Sequence, residues 1–314
     1  MAYKLKPLSP EGLRTYPLRS RKSIVGVAEF AKVTRPGDPF SRFIRNLPDI
    51  LAAKDLKELA ARMKTARTRG KALIWAMGAH VIKVGLAPVL IDLMKKRWMT
   101  GMAFNGAGIV HDFELAYGGE TSEDVEVQIR TGKFGMAKET GDLLNEAIRQ
   151  GAAGGLGLGE AVGRMIAASD FPYKKLSLLG AAYRLNIPLT VHVALGTDTI
   201  HMHPRASGEA LGKTSLRDFF LLSALVQKLD GGGVFLNIGS AVILPEVFLK
   251  AVSLVRNKGK RLDGFSTAVF DFIHHYRPSQ NVVVRPIGKK GKGYYFIGHH
   301  EIMIPLLAAA LKAE

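Results

Sequence analysis

The chain carries nine histidines: His80, His111, His192, His201, His203, His274, His275, His299 and His300. Nearly all fall at or just beyond the end of a short apolar run. Histidine there can act as a general acid–base, a neutral hydrogen-bonding group or a metal ligand. The richest neighbourhoods are His111-Asp112 with Glu114, and the polar run Thr197 to Arg205 that holds His201 and His203. His201-x-His203 alternates on an extended segment, and His299-His300-Glu301 sets imidazoles beside a carboxylate. Two histidines and a carboxylate form an acceptable zinc or iron set. The metal candidates are therefore His201, His203, His299, His300 and Glu301, although no HExxH-type helical spacing supports them.

Three glycine-containing stretches raise the question of phosphate chemistry. Residues 207–214 approach a P-loop, but the position that needs its first glycine is Ser207. Backbone amides wrap a phosphate only where no Cβ intervenes. Residues 151–159 (GAAGGLGLG) follow a helix rather than a strand, which favours a flexible hinge over a dinucleotide fingerprint. In the basic turn 288–293 (GKKGKG), Lys289, Lys290 and Lys292 could grip phosphate, and one of them, if desolvated, could form an imine, although a solvated hairpin tip is the plainer reading of the turn alone.

The elements that would position these groups read as α/β. Residues 73–77 and 101–104 are strand-length apolar runs that break at glycine, with helical spacing over 81–95 between them. That is a βαβ unit. Further strands are expected at 188–195, 234–238, 264–270 and 294–297, with another at 281–285. Helices are expected at 55–68, 135–150, 160–170, 177–185, 215–229, 244–256 and 302–312, and a capping box at Thr121 to Asp124. The architecture expected is a doubly wound, mostly parallel, Rossmann-like sheet. A basic arm and helix would occupy residues 1–70, and one α/β domain residues 71–314. Such sheets bind ligands beyond their carboxyl edge, so several histidines are expected to line one pocket there.

Composition sets limits. The 314 residues can bury a large core, and no apolar run is long enough to span a bilayer. With no cysteine, disulfides and thiolate chemistry are excluded, and a cytoplasmic location is expected. The net charge of +17 favours anionic partners. Because the cations are spread along the chain without a nucleic-acid motif, a solvated basic surface is the plainer reading.

The order and spacing of several short motifs resemble the deoxyhypusine synthase family from about Lys71 onward. They are Gly70-Lys71-Ala72-Leu73-Ile74, Asn105-Gly106-Ala107-Gly108 with Asp112, Asn186-Ile187-Pro188, Ser266-Thr267-Ala268, Arg277-Pro278 and Pro305-Leu306-Leu307. The resemblance implies an NAD-binding fold in a homotetramer with sites between paired subunits. It also implies aminobutyl transfer from spermidine, through a lysine imine, to an amine acceptor. The cofactor contacts implied are Asn105, Gly106, Ala107, Gly108, Thr267 and Ala268, with the glycine turn at Gly239. Catalytic candidates are His111, Asp112, His201, His203, Lys289, Lys292 and His299. His111 and His201 stand where the family has carboxylates, and Arg285 stands where it has the imine lysine. Arginine stays protonated and cannot form an imine. Two alternatives are a divergent enzyme that uses the histidines, with or without zinc or iron, on another substrate, and a nucleotide-binding protein without turnover.

Overall fold

Six parallel strands form one sheet: β1 (Leu73–Met77), β2 (Gly101–Asn105), β3 (Leu189–His192), β4 (Val234–Ile238), β5 (Ser266–Asp271) and β6 (Gly293–Ile297). Their spatial order is β3-β2-β1-β4-β5-β6, the doubly wound order in which the chain reverses direction across the sheet between β1 and β4. The computed structural model describes residues 4–313. Every residue of β1 is buried, as a parallel strand covered on both faces requires.

Alternate side chains enter two separate cores. Leu73, Trp75 and Met77 pack on one face with the helices Leu51–Thr68, Gly106–Gly118 and His300–Lys312, while Ile74 and Ala76 pack on the other against Gly208–Gln227 and Ile243–Asn257. The helix Leu51–Thr68 buries Leu56, Leu59 and Met63 in the first core. It is thus part of the α/β body and not of the arm. Most of residues 4–39 are exposed, with short 3-10 turns at Leu18–Ser20 and Val27–Glu29. Among the described residues no helix is long and apolar enough to cross a membrane.

Several local expectations change for physical reasons. The helix expected over 81–95 is two helices, His80–Lys83 and Ala87–Lys95, separated at Gly85, whose φ of +76° ends the first. The near-P-loop is helical: the Ser207 side chain accepts from the Ala210 amide and starts Gly208–Gln227, and Thr214 donates to the Ala210 carbonyl. The expected hinge at 151–159 is a packing junction. A Cβ on Gly159 would lie 2.1 Å from the Leu189 carbonyl oxygen, so glycine there permits close approach. Residues 281–285 are not a strand; Ser279–Val284 form a π-type turn, and the place beside β5 is taken by β6.

Candidate active site

The carboxyl ends of the six strands make one rim, and the polar groups left unsatisfied gather there. Among the described residues, eight buried side-chain N or O atoms lack a hydrogen-bond partner. Five of them, Asn105 Oδ1, Asp198 Oδ2, His201 Nε2, Asn237 Oδ1 and His300 Nδ1, lie at or just past strand ends. A buried polar atom without a partner costs about 1–3 kcal/mol, and such atoms mark places where a ligand can restore the loss.

Beyond β2 and β3 a cavity of about 270 Å³ is lined by Lys83, His111, Glu114, Glu123, Phe134 and Asp198. His111 enters from the second turn of Gly106–Gly118. Its Nδ1 lies 2.7 Å from Thr121 Oγ1, and that hydroxyl donates to Glu114 Oε2 at 2.5 Å. The hydroxyl's one proton is committed to the carboxylate, so Nδ1 must carry the hydrogen of the first bond. Nε2 is then the unprotonated nitrogen. Burial, with help from Lys83, lowers the imidazole pKa to about 4, so the ring is neutral at pH 7 and its 4.0 Å approach to Glu114 is not an ion pair. Thr121 serves this relay rather than a capping box; the next helix, Val125–Arg130, is capped by Asp124. Thr140 donates to the other Glu114 oxygen at 3.2 Å.

Asp198 reaches the cavity from the loop after β3. It lies over the first turn of Gly106–Gly118, where a Cβ on Gly106 would fall 1.9 Å from Oδ2. Only glycine allows that approach. Burial raises the Asp198 pKa to about 6 against the opposing hydrogen bond from Thr197. His201 Nδ1 accepts from the amides of Gly196 at 3.1 Å and Asp198 at 3.3 Å, which leaves the hydrogen on Nε2. That nitrogen is 3.8 Å from Asp198 Oδ2, too far for a hydrogen bond. One small group that donates to the carboxylate and accepts from the imidazole would complete both.

The rim has a second centre at the reversal point. There the rings of His80, Phe272 and His300 stand 5.4–6.1 Å apart. His300 Nε2 donates to the Phe270 carbonyl at 3.1 Å, and its Nδ1 is unpartnered beside Gly239 (φ +63°). Asn105, Gly106, Ala107 and Gly239 are therefore on the rim, with Gly108 one residue deeper against Phe104. Thr267 and Ala268 are elsewhere: both are fully buried inside β5, and Thr267 Oγ1 donates to the Val282 carbonyl at 2.7 Å.

The remaining candidates disperse. Asp112 turns away from His111, and both its oxygens accept from Ser177 and the amides of Leu178 and Leu179. The His203 ring packs on Gly141, 3.8 Å from Asp142. His299 is the exposed residue before His300–Lys312, 3.9 Å from Glu301. Lys289 and Lys292 precede β6 and so lie at the amino edge, where Lys292 pairs with Asp55 and Glu58. The histidines thus do not share one pocket. Among the described residues no group of three His, Asp or Glu is placed to hold a metal ion, His201, His203, His299, His300 and Glu301 included. The candidate set omitted Lys83, Glu123 and Asp198. Asp198 sits in the polar run after β3, and its place in the loop beyond a strand was the available signal.

No family model and no curated protein matches the chain. Solved structures do match. AgrE in its ternary complex with ornithine and NAD+ superposes with a TM-score of 0.50 at 13% identity, over 82% of this chain and 32% of AgrE. A conserved protein from Methanococcus maripaludis S2, described as a candidate LOR/SDH protein, gives 0.50 at 14% identity, over 88% and 71%. A candidate deoxyhypusine synthase from Entamoeba histolytica gives 0.49 at 9% identity, over 87% and 93%. The chain spans about a third of the length of AgrE. At these identities the likeness to AgrE and to the Methanococcus maripaludis protein establishes a shared Rossmann-like α/β fold alone.

Proposed function

We propose that the chain is a nicotinamide-dinucleotide-dependent enzyme acting on a small amine. The reading is carried by the clustering of unpartnered buried polar atoms on the rim, on both sides of the strand reversal. A dinucleotide needs hydrogen-bonding groups spread across that reversal, and Asn105, Gly106, Ala107, Gly239 and His300 would hold it. When bound, NAD supplies the acceptor for a hydride.

The chain's own residues handle the amine. Glu114, Glu123 and Asp198 face Lys83 and a neutral His111, so the cavity favours a cation. The ammonium suits the Asp198 carboxylate, which lines the cavity and whose buried Oδ2 has no partner. Nε2 of His111 is positioned to take the proton that the nitrogen gives up on oxidation, with Thr121 and Glu114 fixing the tautomer. In its finer form the reading follows the family resemblance: spermidine is oxidised and its aminobutyl group passes to an amine acceptor. Lys83 is the lysine that lines this cavity and would carry the imine in place of Lys289 or Lys292. A homotetramer with sites between subunits would also cover Val125, Val127 and Ile129, which are exposed on the helix beside the cavity.

The test is incubation with NAD and spermidine, reading reduced nicotinamide and released 1,3-diaminopropane. Neither product with spermidine or any other di- or polyamine would defeat the reading. A second reading, dinucleotide binding without turnover, is favoured by the amino-edge position of Lys289 and Lys292. It predicts tight NAD binding with no amine consumed.

A further inference from the structure

At the end of the sheet opposite the rim, a cleft of about 520 Å³ opens between the helix Leu51–Thr68 and the amino ends of β4, β5 and β6. Arg62, Arg69, Arg261 and Lys290 line it, against two carboxylates, Glu58 and Asp263. Its floor is formed by two glycine turns. Gly231 and Gly232 have φ of +74° and +123°, Gly264 has +69°, and the Gly231 amide donates to the Asp263 carbonyl at 2.8 Å. A Cβ on Gly232 would meet nothing within 4 Å, so the space above the floor is open.

One wall is fixed in advance. Glu58 Oε1 accepts from Nε and Nη2 of Arg62 at 3.0 and 2.8 Å, and Glu58 Oε2 accepts from Lys292 at 2.5 Å. Although burial opposes it, these hydrogen bonds from Lys292 and Arg62 hold the Glu58 carboxyl down at about 2, so it stays ionised and keeps its grip. Arg62 is left with Nη1 at the floor, 3.3 Å from Ser266 Oγ. Arg261 lies 3.6 Å from Asp230, and Arg69 and Lys290 have no ion pair among the described residues.

Cations collect near helix carboxyl ends because the carbonyl dipoles favour them. That accounts for Arg69, which caps Leu51–Thr68, but not for Arg62 within the helix or Lys290 on a loop. A second basic groove lies across the same helix, and each of its cations already has a partner, although only one of those partners, Asp92, is a carboxylate. Lys96 and Lys312 pair with Asp92, Lys64 donates to the Ala313 carbonyl, and Arg67 stacks 4.3 Å from the Trp98 ring. Positive charge alone therefore does not single out the first cleft; its open glycine floor and the Arg62 guanidinium fixed by Glu58 do.

We infer that this amino-edge cleft binds a small phosphorylated compound, its phosphate held by Arg62, Arg69, Arg261 and Lys290 over the glycine floor. Guanidinium forks match phosphate oxygens, and the excess of cations over carboxylates suits a dianion. The cleft is separate from the rim, so the inference stands whether or not the amine chemistry holds.

Calorimetric titration of the full chain with inorganic pyrophosphate tests it. The expected result is one saturable site, weakened at least about tenfold by Arg69→Glu with Arg261→Glu, and several-fold by Arg62→Lys, which keeps charge but cannot both grip Glu58 and present Nη1 at the floor. Unchanged melting temperatures would show that the variants fold, and NAD affinity should not move. Absence of saturable binding would overturn the inference. So would an equal loss in Lys96→Ala with Lys312→Ala, which would mean a general field, or a parallel loss of NAD binding, which would put the anion at the rim. Displacement of pyrophosphate by a single-stranded RNA oligonucleotide in a manner sensitive to both grooves would mean a polyanion surface and would equally overturn it.

Discussion

Asp112 belongs to the helix Gly106–Gly118 and is buried, Asp198 lies over the first turn of that helix and is partly buried, and desolvation raises the pKa of each to about 6. Their surroundings differ. Asp112 is saturated: Ser177 and the amides of Leu178 and Leu179 occupy both oxygens and start the helix Leu178–Arg184. Asp198 keeps an oxygen without a partner at the wall of a cavity. A raised carboxyl pKa therefore reports burial, and what separates a structural carboxylate from a candidate functional one is whether its lone pairs are spent. The same criterion divides His192, buried and turned back on Thr190 at 3.0 Å, from His111, whose Nε2 is the nitrogen left open by its relay.

The comparison can be broken most forcefully at His111. His111→Ala should lower amine oxidation by about 10²–10⁴-fold, the usual range for a lost general base, with little change in melting temperature. A large loss of stability instead would make His111 structural and erase the contrast. Thr121→Val should produce a smaller loss in the same direction, since the tautomer would no longer be set. Asp112→Ala should do the reverse. By stranding two buried amides and the Ser177 hydroxyl it should destabilise the fold by about 3–5 kcal/mol, measured by urea unfolding. If it left stability intact and abolished activity, the two carboxylates would have exchanged roles.

How far this distinction could be read from the sequence depends on what each feature needs. The strands β1 to β5 were legible because a parallel strand covered on both faces is a continuous apolar run, and the partly exposed edge strand β6 because its aromatic residues favour extended backbone. The rim followed from them, and with it the placing of Asn105, Gly106 and Gly239. The glycine-rich runs misled. Gly157 and Gly159 are required by close approach to Asp218 and the Leu189 carbonyl, contacts made by residues distant in sequence. His111-Asp112 could not be resolved either. Adjacent helical residues point about 100° apart, so one enters the cavity and the other caps a neighbouring helix. Asp198 was missed because its significance lies in its approach to Gly106, a contact that local spacing cannot show.

Asp198→Asn gives the smallest effect and the sharpest sign. The folded carboxyl titrates near 6, above its ordinary value of 3.8. Native protein therefore binds more protons than unfolded chain between those two pH values. Stability then falls as pH rises through that window, and above about pH 6 the charged carboxylate remains a net burden of up to about 3 kcal/mol. Asparagine keeps the shape and removes the charge, so the variant should be more stable than the parent at pH 7. Its advantage should shrink as pH falls toward 4, where the parent is protonated as well. Amine affinity should move oppositely. It should drop about tenfold or more in the variant at pH 7, and in the parent it should drop as pH falls below about 6. Asp112→Asn should gain none of this stability, because its amide nitrogen would meet donors where the carboxylate had accepted from them. Urea melts of the three proteins across pH 4–7 would decide it. Parallel curves for the two variants would mean that satisfaction of the lone pairs does not separate these sites; divergence only at Asp198 would mean that the fold tolerates an open, charged oxygen there for the sake of a ligand.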